Sequence, residues 1–183
     1  MFTAIVHKNV IEAAVIPQED LMGLNQEKYR EILACYPTGI SLITGMNEDN
    51  EPIGIVVGSF TSISLDPPVV GFFIGKQSTS WPKIDHGKGF CVSFITEELS
   101  SGLEHFLSNK EDRFAQLKLS QSPGGIPVVD GAAAWIECEK LESIEIGDHL
   151  LVTGKPVAAS IPRDHAPLVF HSRKFKTTGN RAN

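Results

Sequence analysis

The chain has 183 residues, 42% of them hydrophobic, which suffices for one core-bearing domain and falls short of two. A formal charge of −6 argues against a nucleic-acid surface, which needs clustered cations, and no apolar run reaches bilayer length. Cys35, Cys91 and Cys138 are odd in number, widely spaced and set among apolar neighbours, so they read as buried thiols rather than as disulfides or a metal knuckle.

Residues 1–24 read as an N-terminal extension. Lys8, Glu12 and Glu19 interrupt its apolar character and no small-residue cleavage site follows, so the cytoplasm is the expected compartment. A domain is expected over residues 25–175 and a polar tail over 176–183. Asn25 suits a helix N-cap, and Tyr29, Ile32, Leu33 and Tyr36 then recur with helical period until Pro37-Thr38-Gly39 ends the run. The apolar face predicts a helix lying against a sheet.

Ile40 to Thr44 and Ile53 to Val57 read as a hairpin around the polar turn Asn47 to Glu51. Further strands are expected at Val69–Ile74, Phe90–Ile95, Trp135–Leu141 and Leu150–Ala159, six or seven in all. Short helices are expected near Ser80 and from Glu97 to Leu107, where Leu99, Leu103, Phe106 and Leu107 share a face. Many short strands with few helices predict a mainly β, antiparallel Greek-key barrel. No Gly-x-Gly-x-x-Gly follows a strand, so a Rossmann site is not expected.

Two polar clusters stand out. In Gly58-Ser59-Phe60-Thr61-Ser62-Ile63-Ser64-Leu65-Asp66-Pro67-Pro68, hydroxyl residues crowd the corner between two apolar strands. They either satisfy their own turn or hold a flat polar ligand. In Lys76-Gln77-Ser78-Thr79-Ser80, a lysine and hydroxyls precede a helix start at Ser80 with Pro82 in its first turn, which suits either a plain cap or a phosphate site. One strand separates the clusters, so both can grip one elongated ligand.

These clusters, in order with Tyr36-Pro37-Thr38-Gly39, Asp112-Arg113-Phe114, Gly131-Ala132, Glu137-Cys138, Gly147-Asp148-His149 and Phe170-His171, resemble the short-chain flavin reductase family, the reductase components of two-component flavin-dependent monooxygenases. The resemblance runs from about Tyr29 to Phe175. It implies an FMN-binding split barrel, a homodimer, FMN or FAD as cofactor, NADH or NADPH as hydride donor, and a partner monooxygenase. Carried over, Thr38, Gly58, Ser59, Phe60, Thr61 and Ser62 line the flavin, and Lys76, Ser78 and Thr79 lie near its phosphate. Arg113, His171 and Phe175 complete the cofactor set.

Of six histidines, His7, His86, His105 and His165 lack a partner at metal-ligand spacing and read as surface residues. His149 either packs at a turn edge or, as the resemblance implies, stands by the flavin and assists catalysis by orienting the nicotinamide or balancing charge. Many family members carry Asn where this chain has Gly58 and Tyr where it has Phe175. A flavin-binding electron carrier without its own NAD(P)H activity and a related split-barrel oxidase are the alternative functions.

Overall fold

The computed structural model describes residues 25–87, 89–160 and 165–178; the expectations for the extension at 1–24, His7 within it, and positions 179–183 of the tail lie outside these. Helix α1 (Gln26–Ala34) opens on Asn25, whose side chain accepts from the Lys28 N–H at 2.9 Å. Its apolar stripe is not buried: Tyr29, Ile32, Leu33 and Tyr36 are all more than half exposed, so the expected packing against a sheet is not made among the described residues.

The chain then forms β1 (Thr38–Gly39), β2 (Ser41–Met46), β3 (Pro52–Val57), β4 (Thr61–Leu65), β5 (Pro68–Gly75), α2 (Trp81–Asp85), β6 (Phe90–Phe94), a 3-10 turn at Glu97–Leu99, and α3 (Ser100–Ser108). There follow β7 (Leu119–Gln121), β8 (Pro127–Val129), β9 (Trp135–Ile146), β10 (His149–Ala159), β11 (Leu168–His171) and β12 (Lys174–Thr177). Every strand pairing is antiparallel. Seven strands join in the order β3-β2-β6-β9-β10-β5-β4, three in the order β1-β11-β12, and β7 pairs β8.

The expected mainly-β antiparallel class holds, with more strands than foreseen. The predicted hairpin pairs from Ser41↔Val57 to Met46↔Pro52, its turn held by Asn47, whose side-chain oxygen accepts from the Asp49 and Glu51 N–H groups. Thr61 to Leu65, read from sequence as a connecting corner, is a strand at the sheet edge. Hydroxyl side chains mask its alternation. Strand β9 runs five residues past Leu141, and β12 takes in Lys176 and Thr177, whose polarity had assigned them to the tail.

Period-two alternation separates the two larger of three core clusters, the third being Cys91, Ile126 and Val128. Ile43 in β2 packs with Phe72, Val92, Val152 and Trp81, whereas its neighbour Leu42 packs with Leu103, Phe106 and Leu168. Strand β2 is therefore covered on both faces. Each fully buried large apolar side chain stabilises the fold by about 1.5–3 kcal/mol.

Strands β4, β5, β10 and the second half of β9 are covered on one face only. Phe72, Ile74 and Val152 point inward, while Ile63, Phe73, Ile144 and Ile146 stay 38–49% exposed. Register places Ile144, Leu151 and Phe73 in one row on that outer face, and His149 lies opposite Ile146 on the same face. Cys91 and Cys138 are buried, and burial pushes each thiol up to about 12. Cys35 is exposed, which corrects the expectation of three buried thiols: it follows a helix whose apolar face is itself uncovered. No described helix is long and apolar enough to cross a membrane.

Candidate functional site

Two hollows gather Phe60, Thr61, Ser62, Ser78, Thr79 and Arg113 of the site residues singled out from sequence, and leave Thr38, Gly58, Ser59, Lys76, His149, His171 and Phe175 outside their linings. The smaller, of about 330 Å³, is lined by Gly39 and Ser41, by Phe60, Thr61 and Ser62 at the head of β4, and by Phe94, Ile95 and Leu168. Nothing lies within 4 Å of the position a Cβ on Gly39 would take, so the floor there is bare backbone open to a flat group. Apolar walls with two hydroxyls at one end suit an aromatic ring with a polar edge.

The larger hollow is a groove of about 1030 Å³ between Ile53–Ile55 of β3, the loop Gln77–Ser80, and the segment Lys110–Phe114 after α3. Strand β3 leads from one hollow toward the other: Ile55 lines the groove and Phe60, five residues on, ~17 Å of extended chain, lines the smaller hollow, while Gly58 stands beside Thr38 between them and lines neither. A Cβ on Gly58 would lie 2.7 Å from Thr38 Oγ1. The threonine therefore occupies the space in which a side chain at 58 would begin.

Ser59 is spoken for. Its hydroxyl accepts from the Phe73 N–H at 2.9 Å and donates to the Phe73 carbonyl at 3.1 Å, taking the place of a strand partner beyond the end of β4. It shapes the corner more than it offers a ligand contact. Thr61 and Ser62 line the smaller hollow directly.

The helix-start argument at Ser80 fails in part. Ser80 makes no capping bond; the Trp81 N–H donates to Ser78 Oγ at 3.1 Å, Pro82 has no N–H, and α2 is only five residues long. What remains of the expected anion site is the Ser78 and Thr79 hydroxyls facing the groove, with Lys83, Lys110 and Arg113 around it. Lys76 does not line the groove. Its ammonium binds Glu145 Oε2 at 2.7 Å, and that bond holds the Glu145 carboxyl below the usual carboxylate range.

Arg113 is a clamp. Nε donates to the Phe106 carbonyl at 3.0 Å, Nη1 donates to the Gly54 carbonyl at 3.1 Å and to Ser80 Oγ at 3.3 Å, and the guanidinium lies 3.9 Å from the Phe106 ring centroid. Burial lowers its pKa from the ordinary value. One side chain thus ties β3, the start of α2 and the end of α3 together, and among the described residues its Nη2 donors bind nothing.

His149 lines neither hollow. It pairs with Gly75 and sits by Lys76, whose N–H donates to the Asp148 carbonyl at 3.0 Å. Its Nδ1 donates to Asp148 Oδ1 at 2.7 Å, which holds the Asp148 carboxyl below its usual range and leaves Nε2 outward. His171 and Phe175 belong to the three-stranded sheet: Phe175 stacks edge-on against Phe170, which pairs with Thr38, and packs on the second core. Of the residues placed as surface histidines, His86 is exposed, His105 is half-buried with Nε2 2.9 Å from the Asp112 carbonyl, and His165 sits 3.4 Å from Glu98. Sequence reasoning missed the groove's Lys83 and Lys110, which belong to no motif. The signal available was charge alone, three cations facing one loop.

A sequence profile described as a flavin reductase like domain matches residues 33–179. The chain belongs to the flavin reductase family. A flavin reductase of Pseudomonas putida is 36% identical over 149 residues, 81% of this chain and 88% of that protein. The reductase subunit HsaB of a flavin-dependent monooxygenase from Rhodococcus jostii is 35% identical across 84% of this chain and 78% of its own. The solved NADH:FAD oxidoreductase of Streptomyces globisporus, in complex with NAD and FAD fragments, superposes with a TM-score of 0.79 at 26% identity, covering 93% of this chain and all of that one. The fold is thus the split barrel of flavin reductases, as the motif order implied, with both hollows inside the matched region.

Proposed function

We propose that this chain reduces FMN or FAD with NADH or NADPH and supplies the reduced flavin to a partner monooxygenase. The observation that carries the reading is the pairing of an aromatic-sized hollow over bare Gly39 backbone with a polar groove one short strand away. The donor set fits a flavin: a flat apolar slot edged by hydroxyls, then hydroxyls and a clamped guanidinium for a phosphate-bearing chain. The flavin supplies the hydride-accepting ring.

The protein's part is positioning and exclusion of water. Phe60, Phe94 and Ile95 wall the slot against solvent, while Thr61 and Ser62 offer hydrogen bonds that fix the ring's angle. Ser78, Thr79 and the free Nη2 of Arg113 hold the polar end. Hydride transfer needs no protein acid; it needs the two rings held close and aligned. His149, held by Asp148 on the outer sheet face, lines neither hollow, so a role at the reduced ring requires that a second copy of the chain bring the two together.

The exposed row Ile144, Leu151 and Phe73, with Ile63 and Ile146 beside it, supports a homodimer that buries this face. His149 lies on the same face and would be brought to the interface. Free thiols and the family's nicotinamide donors fit a reducing cytoplasm. The test is purified protein mixed anaerobically with FMN, FAD or riboflavin and then NADH or NADPH. Bleaching of the flavin absorbance is expected; no bleaching with any pair, but bleaching by a protein donor, would make the chain an electron carrier.

A further inference from the structure

Residues 165–183 contain no Asp or Glu, in a chain whose net charge is −6, and the β11–β12 hairpin concentrates His171, Arg173, Lys174 and Lys176. Antiparallel register sorts these side chains. Gly39 pairs with Val169, Val169 with Lys176, and His171 with Lys174, so Val169, His171, Lys174 and Lys176 share the sheet face that is bare over Gly39. The opposite face carries Thr38, Phe170 and Phe175, of which Phe175 packs on the second core. A bond from the Lys176 ammonium to His171 Nδ1 at 3.0 Å agrees with that sorting. Lys176 is two strand spacings from Gly39, ~10 Å.

The hairpin turn adds a second observation. Ser172 and Arg173 have φ of 52° and 60°, the left-handed region in which glycine or asparagine is the unstrained choice. An arginine there keeps its charge at the tip against backbone cost. Such a residue is a pointer to function.

We propose that this face receives the phosphates of the nicotinamide dinucleotide, with Lys174 and Lys176 as its main contacts and Arg173 at the entrance. The inference rests on the flavin-reductase reading above. It complements the flavin site: Ser78 and Arg113 in the groove would hold the flavin's phosphate end, and a donor entering over Gly39 from the other side would lay its phosphates on the only described stretch of the chain dense in cations and free of carboxylates. A further 2′-phosphate gains from the same charges, so NADPH binds more tightly than NADH at low salt.

The test measures equilibrium binding of NADP⁺ and NAD⁺ by calorimetry, and FMN and riboflavin by fluorescence, on wild type, Lys174→Ala/Lys176→Ala and Arg173→Gly, at low and high salt. The double variant is expected to weaken NADP⁺ at least tenfold at low salt, with the kinetic loss carried by the donor KM rather than by kcat and with FMN affinity kept. Arg173→Gly is expected to raise the Tm while weakening NADP⁺; a turn of structural importance only would give the first without the second. Unchanged NADP⁺ binding in the double variant overturns the proposal, as does weakened FMN binding with riboflavin and NADP⁺ untouched, which would give the face to the flavin phosphate. Wild type that binds flavin but oxidises neither donor defeats the functional reading instead.

Discussion

At position 58 the departure from the family's common asparagine has a steric companion. Thr38 Oγ1 stands 2.7 Å from where a Cβ on Gly58 would be, so the two positions exchange bulk between β1 and the end of β3. Gly58→Asn alone is expected to cost about 1–3 kcal/mol, the scale of overpacking, and Thr38→Gly in the same chain to return most of it. Thermal unfolding of the single and double variants checks this; equal losses in both would mean the contact is not what excludes the side chain. Lys76 offers a second test, because Glu145 competes with any phosphate for its ammonium. Glu145→Gln is expected to tighten FMN about two- to fivefold, the scale of one exposed ion pair, and to leave riboflavin unchanged. Lys76 holds the Glu145 carboxyl below its usual range, so the pair's contribution is fully present above the ordinary carboxylate value and is lost as pH falls through the depressed one. Any Tm difference between wild type and Glu145→Gln should accordingly be present at neutral pH and shrink below about pH 4.

The groove depends on how three elements are tied. Arg113 alone bonds to carbonyls of β3 and α3 and to the residue opening α2. Arg113→Ala removes charge-assisted bonds and strands part-buried carbonyls, so a loss of about 2–4 kcal/mol is expected, with Arg113→Lys recovering only a part because an ammonium lacks the fork. Denaturant unfolding measures it, and a loss under about 0.5 kcal/mol would show the clamp to be ornamental. This clamp was hidden in the sequence: Asp112-Arg113-Phe114 marked the segment, but nothing local said that its partners were Gly54 and Ser80. Strands β2, β3, β5, β6 and β10 were legible because burial on one or both faces writes itself as an apolar run or an apolar period. Strand β4 was not, since Thr61, Ser62 and Ser64 look like loop chemistry until β5 is beside them. Of the hydroxyl cluster at 58–62 only Gly58 to Phe60 form the expected corner, and only coordinates separate Ser59, spent on Phe73, from Thr61 and Ser62, which line the hollow. The phosphate loop was half legible: its hydroxyls reach the groove, but its lysine turns to Glu145.

For the whole molecule, the seven-stranded sheet sets the outlook. Its inner face is packed and its outer face, from Ile63 across Phe73 and Leu151 to Ile144, is not. Light scattering on the eluting peak is expected to give twice 19.9 kDa, and Phe73→Glu to give one copy, since a carboxylate cannot be buried unpaired in an apolar interface. A wild-type mass of one copy at tens of micromolar would leave the face with another role. The consequence of a sheet finished on one side reaches beyond assembly. If the second copy supplies the missing cover, folding and association draw on the same apolar area, and stability obeys mass action: the Tm climbs with protein concentration, and enzyme diluted to nanomolar for assay is a less durable object than the same enzyme in a crowded cell.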